Sequence, residues 1–174
     1  MVELRGNVPT RLSKVEKGSV HAAVLAAAGL IRLEVQRRIT MFLEPPEWLP
    51  AAGQGAIAIQ VRSDDNRIKE LLAPLDHEPT SIATRAERAF LGALEGGCQV
   101  PIGALVSDIE GVPTLYGMLA DLTGRHIVRG SRRLDPRAPE STGEALAAEI
   151  RSRGGGSLLV ELRQLSKIPA PQPE

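Results

Sequence analysis

"IGALVSDIEGVPTLYGMLADLTGRHIVRGSRR", residues 102–133, decides how this chain folds. It divides into three β-rich runs, 102–108, 113–120 and 126–133, joined through "IEGVP" and "DLTGR". Each joint carries glycine and another turn former. Connections this short cannot hold a crossover helix, so the three strands pair as an antiparallel meander. On the N-terminal side lies a helix with an apolar stripe at Ile82, Ala86, Ala89, Phe90, Ala93 and Leu94. Thr80, after Pro79, is its expected N-cap, and Gly96 its expected stop. On the other side "STGEALAAEIRSR" (141–153) reads as an amphipathic helix. "GGGSLLVELRQL" (154–165) continues it after a break. Residues 78–168 therefore read as an α-β-β-β-α domain with a three-stranded antiparallel sheet, followed by a disordered tail, 169–174.

Upstream the pattern changes. "VELRGN" (2–7) and "SVHAAVLAA" (19–27) read as strands, and "VPTRLSKVEKG" (8–18) and "AAGLIRL" (27–33) as helices. "GAIAIQVR" (55–62) alternates, with Ile57, Ile59 and Val61 on one face, and "DNRIKELLAPL" (65–75) is a helix. The order suggests α/β elements with parallel strands, so the fold class expected is α/β followed by α+β. The boundaries expected are 1–49 for the first unit, 50–77 for a crossing segment and 78–168 for the C-terminal domain. The Pro- and Gly-rich run "FLEPPEWLPAAGQGA" lies at the first boundary.

Composition narrows the function. With 43% hydrophobic and 2% aromatic residues, the core must be aliphatic. Lys plus Arg equals Asp plus Glu at 21 each, which argues against broad binding to nucleic acid or an anionic membrane. The balance is local, though. Residues 1–39 hold seven Lys/Arg against three acids. A single cysteine allows no internal disulfide and, with no signal peptide visible, points to the cytoplasm. The run "VHAAVLAAAGLI" from Val20 falls short of the roughly 20 residues that cross a bilayer. Dinucleotide and phosphate loops of the G-x-G-x-x-G and G-x-x-x-x-G-K-[ST] types are missing, and His21, His77 and His126 lack metal-ligand spacing.

The one thiol, Cys98, stands in "LEGGCQVPIG" (94–103). Taken alone, it reads either as a small buried apolar side chain or as a thiol presented on a bare loop to something bulky. Gly96 has a capping duty, whereas Gly97 has none left. A helix C-terminus would not lower the thiol pKa, so any activation must come from elsewhere.

At this point the sequence resembles a known family. "LEGGCQVPIGA" is similar to the cofactor-attachment segment of the porphobilinogen deaminases, also called hydroxymethylbilane synthases. "LRGNVPTRLSKVEKG", "AAVLAAAGLIRL", "LPAAGQGAIAIQVRSDD" and "ATRAERAFLGALEGGCQVPIGA" resemble the same family in the same order, from about residue 3 to 153. The resemblance implies that Cys98 carries a dipyrromethane cofactor through a thioether. The cofactor primes addition of four porphobilinogen units with loss of ammonia, in tetrapyrrole (porphyrin and heme) biosynthesis. Hydrolysis then releases the linear tetrapyrrole. It further implies that Arg5, Arg11 and Arg32 hold the acetate and propionate groups of cofactor and substrate, as a planar guanidinium does well. Read alone, those arginines are solvated surface charges, as Arg37 and Arg38 are expected to be. Gln54, in the "GQG" of the connector, is a further candidate for ligand contact.

The family has three domains. Here residues 1–49 resemble the second half of domain 2, residues 52–75 the return to domain 1, and residues 78 onward domain 3. Domain 2 brings with it the expectation of periplasmic-binding-protein-like α/β elements. The family's catalytic aspartate belongs to the first half, and nothing here matches it. Asp64 and Asp65 read better as a helix N-terminal charge pair. No catalytic residue is therefore identified. The chain is expected to be inactive alone, with a complementing N-terminal chain as partner. The alternative is a non-catalytic tetrapyrrole-binding module or the complementing half of a split enzyme.

Overall fold

A computed structural model describes residues 2–94, 100–108 and 111–166. It divides into two compact units, one ending at Leu43 and one starting at Glu44.

The first unit is built on two short helices, α1 (Val8–Glu16) and α2 (Ala27–Arg32). Asn7 caps α1, its Oδ1 accepting from the Thr10 amide at 2.9 Å, and Pro9 sits in the first turn, where a missing N–H costs nothing. The segments 2–7 and 19–27, expected as strands, are irregular.

In the second unit α3 (Asn66–Leu72) precedes α4 (Glu78–Ala93). Then come β1 (Ile102–Asp108), β2 (Pro113–Ala120), β3 (Ile127–Arg133), α5 (Pro139–Ile150) and α6 (Gly156–Ser166). The sheet is the expected antiparallel meander in the order β1-β2-β3, with Gly103 opposite Met118 and Gly117 opposite Gly130. Leu115 and Leu119 of β2 turn to the helical side and meet Phe90 of α4, its C-cap Leu94, and Leu146 and Ile150 of α5. Leu158, Leu159 and Leu162 of α6 complete this aliphatic core.

Close helix contact explains one glycine. A Cβ on Gly143 of α5 would lie 2.3 Å from the Ala86 carbonyl oxygen of α4, so only glycine lets the two helices touch there. The break between α5 and α6 is a wide turn, Arg151–Gly155, in which Gly154 takes φ +106°.

Two expectations need correction. Helix α4 starts at Glu78 with His77 as N-cap, not at Thr80, because a proline is tolerated inside the first turn. The Thr80 hydroxyl instead meets His77 Nδ1 at 2.8 Å. The α/β unit with parallel strands is not seen: none of the described residues before Val100 is in a strand. The physical reason shows at 55–62. Ile57 is 85% exposed, and a strand exists only when a neighbour takes up its backbone groups. The expected tail and the expected stop at Gly96 lie outside the described residues.

Candidate functional site

The sequence "ELRGNVPTRLSK" folds cations onto one short turn. Arg11, one turn into α1, donates from Nε to the Gly6 carbonyl at 2.7 Å. Lys14, three residues on and so on the same helix face, donates from Nζ to the Arg5 carbonyl at 3.2 Å. Arg5 itself holds the Glu3 carboxylate at two points, from Nε at 2.9 Å and from Nη2 at 3.2 Å. Three cations thus surround residues 5–6, and the only carboxylate among these contacts, Glu3, is held in the forked geometry that an incoming carboxylate would take. Arg5 and Glu3 are both exposed, so a ligand can exchange with Glu3 at little desolvation cost.

Arg32 closes α2 from the same unit. It is exposed and forms no hydrogen bond or ion pair with any described residue, so its guanidinium is open to a ligand. Its charge also suits the C-terminal end of its helix. Arg38, expected to be solvated, is exposed and pairs with Glu16 of α1. Lys14 was not singled out from sequence. Its signal was the Arg11-x-x-Lys14 spacing on a helix whose N-cap turn carries Arg5.

Gln54 lies in the second unit and has a local task. Its Oε1 accepts from the Ala51 amide at 3.2 Å while its own amide donates to the Ala51 carbonyl at 3.1 Å. The side chain closes its own turn. Cys98 lies outside the described residues, between the end of α4 and Val100 before β1.

A cavity of about 640 Å³ opens between the 50–56 loop, the first half of α4 and β1. Glu78, Glu87 and Asp108 line it, and no Lys, Arg or His does among the described residues. Such a wall disfavours a ligand rich in carboxylates. This cavity and the basic cluster therefore suit opposite ligand charges. No described helix is long and apolar enough to cross a membrane.

Comparison with known proteins agrees with the cation-rich first unit. Residues 1–70 match the family model described as porphobilinogen deaminase, dipyromethane cofactor binding domain. Residues 81–152 match the model described as porphobilinogen deaminase, C-terminal domain. The porphobilinogen deaminase of Moorella thermoacetica is 47% identical over 166 residues, which is 95% of this chain and 53% of that protein. Those of Syntrophobacter fumaroxidans and Carboxydothermus hydrogenoformans are each 44% identical, over 93% and 94% of this chain and 52% of their own lengths. The chain thus spans about half the length of these curated relatives. With two consecutive domain models of one family matched in order, and close relatives across nearly its whole length, the chain belongs to the porphobilinogen deaminase family.

Proposed function

We propose that this chain supplies the later part of a hydroxymethylbilane synthase, the transferase that polymerises four porphobilinogen units on a bound dipyrromethane with release of ammonia. One observation carries the reading: Arg5, Arg11 and Lys14 gather at one turn inside the segment that matches a dipyrromethane cofactor binding domain. The donor set fits the group. Each pyrrole unit carries an acetate and a propionate, and guanidinium and ammonium groups on an exposed turn neutralise them.

In this reading Arg5, Arg11 and Arg32 bind carboxylates of cofactor and growing chain, and Gln54, whose side chain closes the turn of the 51–54 loop, is a further ligand contact. Cys98 is the covalent anchor, through a thioether. When bound, the cofactor would supply the free pyrrole carbon to which the first unit is joined, each later unit joining the one before it. The acid-base work falls to an aspartate that this sequence does not match. The domains follow suit: 1–49 as part of a cofactor-binding α/β domain related to periplasmic binding proteins, 50–77 as a crossing, and 78–168 as the attachment domain. A cytoplasmic location goes with the single thiol.

A second reading, a complementing half of a split enzyme, draws support from the 55–62 segment. Its alternating apolar face, with Ile57 and Ile59 exposed, has the pattern of a strand whose sheet is elsewhere. Intact mass spectrometry tests both readings. The chain is incubated with porphobilinogen, alone and with the matching first half of a relative. We expect a dipyrromethane adduct only in the mixture, and none with Cys98→Ala. An adduct that survives Cys98→Ala overturns the anchor, and an adduct on the chain alone overturns the need for a complementing half.

A further inference from the structure

Glu87 is out of place by composition. It sits on α4 between Ala86 and Phe90, both fully buried, and is itself only 4% exposed. A buried carboxylate normally needs a cation, and no described cation pairs with this one. It is satisfied by backbone instead. Oε1 accepts from the Val106 amide at 2.9 Å and Oε2 from the Gly53 amide at 2.7 Å.

These two donors belong to different parts of the chain. Val106 N–H points away from β2 along the free edge of β1, where no strand covers it. The rung before it is taken by the connector: Ala104 N–H donates to the Pro50 carbonyl at 2.9 Å. Further back, Leu49 lies against Gly103, and Arg129 Nη1 donates to the Pro46 carbonyl at 3.0 Å. Residues 46–53 therefore run as a strap from Arg129 of β3 to the free edge of β1, where Pro50 takes one rung as a partial fourth strand would. The strap leaves β1 at the next rung, and there the Glu87 carboxylate spans the gap.

We infer that Glu87 is a positioning residue. By holding Gly53 and Val106 together it fixes the point at which the chain leaves the C-terminal domain, and with it the turn that Gln54 closes and the start of the 55–62 segment. Two charge-assisted bonds do this without a backbone ladder, so the exit is set by a side chain of α4 rather than by the strap's own sequence. This inference does not depend on the deaminase reading.

Two variants of the full chain test it, read by amide hydrogen exchange in NMR and by emission of Trp48, the only tryptophan and a member of the strap. Glu87→Gln keeps the volume but only one acceptor oxygen. We expect exchange to quicken about tenfold or more at Gly53 or at Val106, and at both in Glu87→Ala. Trp48 emission should shift, while Leu115, Leu119 and Leu146 keep their protection. If neither amide changes in Glu87→Gln, the inference fails. It also fails if that variant loses protection evenly across β2, β3 and α5, since Glu87 would then be an ordinary member of the core.

Discussion

Arg11, half-buried, and Arg32, exposed, separate two meanings of an arginine near the surface. Arg11 gives one hydrogen bond to a backbone carbonyl at the surface, and Arg32 gives none. Replacing Arg32 by Leu should leave the melting temperature unchanged, and Arg11→Leu should cost at most about 1 kcal/mol. If both hold carboxylates, each change should slow cofactor assembly or chain elongation in the complemented enzyme by about tenfold or more. Activity and thermal melts on the same samples check this, and activity that falls only in step with stability would assign the residues a structural task. Asp121 makes a different kind of residue-level device. Burial alone would raise its carboxyl pKa, but the Thr123 hydroxyl and the amides of Arg125, His126 and Thr123 outweigh that and hold it below the ordinary value. Glu140 is held low by the paired Arg85 guanidinium, at 2.6 Å and 2.9 Å. Both pKa values fall on folding, so both carboxylates contribute stability above the ordinary carboxylate range. That contribution fades as pH falls through their folded values. Asp121→Asn should therefore lower the neutral plateau of a stability-against-pH curve while leaving stability at low pH, where Asp121 is protonated, nearly unchanged, so that part of the acid limb flattens. An unchanged acid limb would show that the β2–β3 turn does not depend on that charge.

The elements explain what could be read from sequence. β1, β2 and β3 follow one another through short turns, so each carries its partner in the adjacent sequence and the pattern alone determines the sheet. Residues 55–62 carry as clear an alternation but no neighbouring partner, and the same pattern yields no strand. Periodicity reports which face wants burial, and only a second segment decides whether burial happens. Glu87 was missed for the opposite reason. A charge on a helix is normally solvated, and nothing in the local sequence announces that two backbone donors will reach it. The hint was its place inside the stripe, beside Ala86 and three residues before Phe90. The basic cluster was partly legible, because Arg5 and Arg11 stood in a cation-rich run. The thiol's neighbourhood was legible only through resemblance. At this scale Gly143 gives a sharp test. Any Cβ there drives α4 and α5 apart, so Gly143→Ala should destabilise the C-terminal domain by about 2–3 kcal/mol in a denaturant melt, despite alanine's better helix propensity. A neutral result would mean that the helices separate without losing contact with Phe90 and Leu146.

Across the whole molecule, stability should be uneven in a way that follows the core. The core cluster of the second unit holds twelve buried side chains among the described residues, from α4 and its C-cap, the sheet, α5 and α6. The first unit has one buried hydrophobic side chain among its described residues, Leu30, and shows Val24 at 79% exposure. The strap belongs with the former, because Pro46, Pro50 and Gly53 are each bonded to the C-terminal domain. Segment 55–75 does not, since Ile57, Ile59, Leu71 and Leu75 are all exposed. We therefore expect three levels of amide protection in the chain on its own. Residues 78–94 and 102–162 should exchange by global opening of the domain. The bonded amides of the strap and its turn, among them Gly53 and Gln54, should approach that level. Residues 2–43 and 55–75 should exchange orders of magnitude faster, by local opening. Adding the first half of a relative should raise protection in the last group, above all at 55–62, where strand-type amides would acquire partners. Hydrogen exchange followed by mass spectrometry, with and without that half, decides it. Equal protection throughout the free chain would mean that the first unit has a core of its own. An unchanged 55–62 in the mixture would mean that this alternating segment completes no sheet.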